Sequence, residues 1–140
     1  MTGAMAPPPA FAQQVTFLYA EDPAACRDFY GRVLGLELVQ DQGFAAIYAT
    51  AGRRAFLGVV QARAPRQGHE PRAEGGVVLT LVTPAVEAWH AHLTAEGVAV
   101  EGMPEANAAT GITHFFFRDP AGYLLEIQRF ESPAWARPPS

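Results

Sequence analysis

Cysteine is almost missing from this chain: Cys26 is the single one in 140 residues. An intramolecular disulfide is therefore impossible, and so is a cysteine-rich zinc site. Charge is scarce too, at 17% of residues, and it is not basic. Ten Lys and Arg stand against fourteen Asp and Glu, a formal charge of −4. The chain lacks the basic stripe that non-specific nucleic-acid binding needs. No apolar run approaches the roughly 20 residues of a membrane span. Met1 to Pro9 lacks the basic and apolar blocks of a signal peptide. A cytoplasmic protein is the expectation. The length suggests one domain, or two small halves sharing a core, able to bury roughly 70% of its unfolded surface.

What is present centres on His114 to Phe130. Phe115 and Phe117 alternate with His114, Phe116 and Arg118, the period of a two-faced strand. Asp119-Pro120-Ala121-Gly122 suits a tight reversal. Leu125 and Ile127 then alternate with Leu124, Glu126 and Gln128. If Phe115, Phe117, Leu125 and Ile127 form the buried face, Glu126 lies on the other, near Phe116 and His114. A carboxylate in mid-strand needs a partner, because an unpaired buried charge is costly.

Upstream, residues 1–12 read as a flexible lead-in with Pro7-Pro8-Pro9. Gln14 to Ala20 is a strand, with Val15, Phe17 and Tyr19 on one face. Asp22-Pro23 opens a helix as N-cap and first residue. Cys26, Phe29, Tyr30, Val33 and Leu34 give it an apolar stripe, and Gly35 ends it. Strands follow around Glu37–Gln40, Phe44–Thr50 and Ala55–Gln61. Residues 62–76 are polar and proline-rich, a linker. Its Arg63, Arg66, His69, Glu70, Arg72 and Glu74 read as a solvated loop. The order then repeats. Val77–Val82 is a strand, and Thr83-Pro84 opens a helix carrying Val86, Trp89, His90 and Leu93. Gly97 closes that helix, Val98–Glu101 is a short strand, and Met103–Gly111 is a loop before the hairpin. The expected fold is α+β: two βαβββ modules, 13–61 and 77–130, forming curved mixed sheets around a central cleft. Helices lie outside, and a tail, 131–140, follows. His90 and Cys26 read as packing residues, His92 as exposed.

These features together resemble the vicinal oxygen chelate superfamily, which includes glyoxalase I, extradiol dioxygenases and the fosfomycin and bleomycin resistance proteins. The signals are Asp22 with Phe29-Tyr30, Leu34-Gly35-Leu36, Gly97-Val98 and the Asp119-Pro120-x-Gly122 turn, with Glu126 at the position of a metal-binding glutamate. The resemblance implies a cleft between paired modules and, commonly, a homodimer. It also implies metal ligands on equivalent strands. Counting back from Asp22 and from Gly97, those positions fall at Val15 and at Val77 or Val78, which cannot bind metal. Glu126 remains, and one carboxylate is too few: catalytic metal sites use about three protein ligands. The open alternative builds a divalent site from Glu126, His114 and Gln14 or Gln128.

The candidate ligand-binding residues are Phe17, Tyr19, His114, Phe116, Glu126 and Gln128. They form an aromatic face with a few polar groups, suited to a flat or amphipathic molecule. Tyr48, Phe44 and Trp135 are possible additions. The competing reading has Phe17 and Phe116 simply filling the core. The pattern looks like metal-free, bleomycin-resistance-like members that sequester an antibiotic or metabolite, with no cofactor. A metal-dependent lyase, isomerase or dioxygenase using Glu126 is the first alternative. A dimeric scaffold or regulator is the second.

Overall fold

The computed structural model describes residues 8–65 and 68–138. Met1 to Pro7, and with them most of the lead-in, lie outside the described residues, as do Arg66 and the last two residues of the tail. The first module runs β1 (Gln14–Ala20), α1 (Pro23–Asp28), β2 (Glu37–Asp41), β3 (Ala45–Ala51) and β4 (Ala55–Gln61). A short helix α2 (Pro71–Glu74) interrupts the linker. The second module runs β5 (Leu79–Val82), α3 (Val86–Ala95), β6 (Ala99–Asn107), β7 (Ile112–Arg118) and β8 (Leu124–Phe130). The sheets have orders β1-β4-β3-β2 and β5-β8-β7-β6. In each, the first strand runs parallel to the last and the remaining pairs are antiparallel. The architecture is α+β, built from two copies of one module.

Local chemistry explains the copies. Asp22 accepts the Ala25 N–H at 3.2 Å while Pro23 takes the first turn of α1, where its missing N–H costs nothing. The helix then widens to a π-helical turn over Phe29–Val33, closed by the Leu34 N–H on Phe29 O at 2.9 Å. Gly35 and Gly97, at φ +67° and +77°, reverse the chain after each main helix. The second helix starts later than its Thr83-Pro84 pair suggests: Thr83 Oγ1 accepts the Ala85 N–H at 3.1 Å, and helical turns begin at Val86. Strand β6 is longer than expected. An irregularity between Glu101 and Glu105 absorbs residues 102–104, so pairing with β7 resumes where the sequence predicts a loop.

The core face of the final hairpin is the expected one, although Leu124 and Gln128 on the opposite face are buried as well. Phe115, Phe117, Leu125 and Ile127 are buried, and they share one core with Leu18, Ala20, Cys26, Phe29, Tyr30, Leu57, Val59 and Leu93. That core spans both modules. Phe29 reaches Phe117, with ring centres 6.2 Å apart. Tyr30 Oη donates to Asp119 Oδ2 at 2.7 Å, Arg32 pairs with Glu96 at 2.9 Å, and His92 Nε2 bonds Val33 O at 2.8 Å. His92 is exposed, as expected, and its ring is also tied across the modules. His90 packs edge-on against Phe115 and bonds Gly102 O. Burial, and secondarily Asp119, pushes the Cys26 thiol up to about 12, so it is an inert core side chain.

The edges of β1 and β5 flank the seam between the sheets. Tyr123, in the β7–β8 turn, crosses it: its hydroxyl accepts the Tyr19 N–H at 3.1 Å and donates to Tyr19 O at 3.0 Å. One side chain thereby satisfies part of an otherwise open strand edge. No helix among the described residues is long and apolar enough to cross a membrane.

Candidate ligand-binding site

Strand register assembles four of the six candidate residues. On adjacent strands Phe116 stands opposite Glu126 and His114 opposite Gln128. Their alternation with the buried Phe115, Phe117 and Ile127 puts them on the face of the second sheet turned away from the core. Parallel pairing with β5 adds Thr80 beside Glu126. Each carboxylate oxygen has one protein partner. Thr80 Oγ1 donates to Oε1 at 2.8 Å, and His114 Nδ1 meets Oε2 at 2.7 Å. The two side chains keep 17% (His114) and 12% (Glu126) of their surface exposed. An ionised carboxylate can only accept, so this contact fixes the Nδ1–H tautomer and leaves Nε2 as the polar atom available to a ligand. The Phe116 ring lies edge-on to the imidazole, 5.3 Å between centres. Gln128 is buried.

The linker covers part of this face, and its charges are not those of a free loop. Arg72 lies over Phe116, its Cζ 4.6 Å from the ring centre, and forks onto Glu101 at 2.7 and 3.0 Å. Glu70 bonds Arg72 and Arg118 together. Those guanidinium groups, Arg72 first, hold the Glu70 carboxyl at about 2, against an ordinary 4.5. Arg118 also donates to His69 O at 3.0 Å and Gly122 O at 2.9 Å. Sequence reading missed this dock, because its partners are 29 and 48 residues apart.

Phe17 and Tyr19 have other surroundings. The Phe17 ring lies over Gly58 of β4, so closely that a Cβ there would sit 2.4 Å from its Cδ1. With Leu79, Leu124, Arg118 and Pro71 it lines a cavity of about 240 Å³ between the modules. Tyr19 lies at the seam beside Tyr123, half exposed. A larger cavity, about 500 Å³, opens farther along the seam. Leu34, Leu81, Trp89 and Ile127 line it, with Thr80 and Thr83 as polar members and Trp135 of the tail as one wall. Phe130 holds that indole in a parallel stack, 3.5 Å between centres and 9° between planes.

The donor set does not fit a divalent ion. Among the described residues no three His, Cys, Asp or Glu side chains gather closely enough to share one. Val15 and Val77 stand exposed and apolar at positions the resemblance assigns to ligands. Both Glu126 oxygens already have protein partners.

Comparison with known proteins agrees with this fold. The Glyoxalase/Bleomycin resistance protein/Dioxygenase superfamily model matches residues 12–127. A lactoylglutathione lyase from Agrobacterium tumefaciens is 23% identical, with TM-score 0.68, over 92% of this chain and 100% of that one. A glyoxalase/bleomycin resistance protein/dioxygenase from Nocardioides is 16% identical, TM-score 0.70, over 96% and 93%. TioX from Micromonospora sp. ML1 is 21% identical, TM-score 0.69, over 86% and 99%. At these identities the solved structures are likenesses of fold. No curated protein matches the sequence. The matched span takes in both modules, and the chain belongs to the glyoxalase/bleomycin resistance protein/dioxygenase superfamily.

Proposed function

We propose that the protein binds a small hydrophobic or aromatic molecule, a metabolite or an antibiotic, in the cleft between its modules and without a metal ion. The observation that carries this reading is the internal satisfaction of Glu126 by Thr80 and His114. A carboxylate so held orients an imidazole, and among the described residues no third His, Cys, Asp or Glu joins the pair to hold a cation. Phe17, Tyr19 and Phe116 supply the apolar surface, and His114, Glu126 and Gln128 the polar selectivity. The protein acts in the cytoplasm as a homodimer, a pairing supported by exposed apolar Val15, Phe17 and Tyr19 on β1.

The second reading, a metal-dependent lyase, isomerase or dioxygenase, rests on the adjacency of His114 and Glu126, two donors on neighbouring strands. Metal analysis separates the two. After incubation with nickel, zinc, manganese or iron and desalting, metal per chain is expected to stay well below one, and Glu126→Ala to leave it unchanged. One equivalent of metal, lost in Glu126→Ala, overturns the proposal. A thermal-shift ligand screen addresses the scaffold alternative: a binder is stabilised as ligand saturates, and a scaffold gives no response to any compound.

A further inference from the structure

We infer that the cavity of about 500 Å³ is a second binding site, built for an uncharged planar molecule that carries a hydrogen-bond acceptor. Its size falls within the roughly 300–1,000 Å³ range of small-molecule sites. It is separate from the face of Glu126. Leu81 and Ile127, from the core side of the second sheet, and Trp89 of α3 line it, so it opens on the helix side of the seam.

Three observations set the ligand's chemistry. First, no lining residue carries a formal charge, although the chain as a whole holds 24 Arg, Lys, Asp and Glu residues (10 basic and 14 acidic). An anion entering there would shed its water and meet no compensating cation. Second, both of the chain's two tryptophans line this cavity. Trp135 presents a ring whose plane is already fixed by its stack on Phe130, so little rotamer freedom is lost when a second ring lies against it. Third, the lining includes a hydroxyl with a proton to give. Thr83 accepts the Ala85 N–H and retains its own proton to donate, whereas the Thr80 hydroxyl is turned to Glu126 on the other face. Thr83 therefore reads an acceptor on the ligand.

The tail makes the wall complete. Trp135, Ala136 and Pro138 line the cavity, and Arg137 ties the turn down by donating to Ser132 O at 3.1 Å and Phe130 O at 3.3 Å. Ligand contact is therefore made by a segment that follows the last strand and contributes nothing to either sheet.

A matched pair of probes tests this: 2-naphthol, neutral with a hydroxyl, and 2-naphthoate, the same ring as an anion. Binding to the full chain is followed by intrinsic tryptophan fluorescence and checked by calorimetry. The expected result is saturable binding of 2-naphthol and affinity for 2-naphthoate at least tenfold weaker. Trp135→Ala, in the exposed tail, is expected to weaken 2-naphthol binding about threefold to tenfold, the usual worth of one aromatic stack. Val82→Trp, which fills the cavity from a half-exposed wall position, is expected to abolish it. Equal affinity for the two probes overturns the inference. So does 2-naphthol binding that survives both substitutions, which assigns the ligand to the cleft at Phe17 instead.

Discussion

Tyr30 and Asp119 come from opposite modules and meet in the core. The phenol is fully buried, Asp119 nearly so, and the carboxylate also accepts the N–H groups of Ala121 and Tyr123 at 2.9 Å each. Tyr30→Phe keeps the ring and deletes one of those bonds. The expected loss is about 1–3 kcal/mol of stability, read from urea denaturation. Burial and Asp119 raise the Tyr30 phenol well above its ordinary 10. Its contribution is therefore intact below pH 10 and is lost as pH climbs past that value. Gly58 poses a different constraint at the same scale. Gly58→Ala must push the Phe17 ring off β4, since the new methyl and Cδ1 would be 2.4 Å apart. The ring is half exposed and has solvent to move into. Stability is expected to change by less than about 1 kcal/mol, while Phe17 moves measurably in a crystal structure or by NMR. An unmoved Phe17 would contradict the close approach.

Among the elements, the linker behaves least as its composition suggests. Polar, proline-rich residues 62–76 read as solvent-facing, yet α2 brings Glu70 and Arg72 onto the second sheet. The Glu70 carboxyl is depressed to about 2 by Arg72 and Arg118. A depressed carboxylate stabilises the dock fully above its unfolded value near 4.5, and the contribution fades as pH falls toward about 2. Linker amides are therefore expected to exchange hydrogen at a pH-corrected rate that is flat above pH 5 and rises steadily below pH 4. Arg72→Ala should raise exchange across the whole range. These groups are solvent-exposed, so salt should weaken the dock as well.

For the whole molecule, the fold was legible because its punctuation is local. Asp22-Pro23, Gly35, Gly97 and Asp119-Pro120-x-Gly122 mark element ends, and the burial of Phe115, Phe117, Leu125 and Ile127 follows from alternation alone. The proximity of His114 to Glu126 was legible for the same reason, across a short hairpin. Thr80 was not: its place beside Glu126 depends on the register of a parallel pair 46 residues apart, which no local pattern encodes. The docking of Arg72 and the seating of Trp135 against Phe130 belong to the same class, long-range pairings chosen by shape and charge. Phe17 was read on the correct strand face, but its rest on Gly58 needed the β1–β4 register.

The two modules share a single interior, and the backbone joining them leaves β4 through the exposed stretch Arg63–Pro65. Covalent continuity there is dispensable if Phe29 on Phe117, Tyr30 on Asp119 and Tyr123 on Tyr19 hold the halves. Two fragments, residues 1–64 and 65–140, expressed together are expected to copurify and to regain the circular dichroism of the intact chain. Either one alone, with half its greasy surface uncovered, is expected to aggregate. Such fragment complementation would turn this chain into a reporter of proximity between any two proteins fused to its parts.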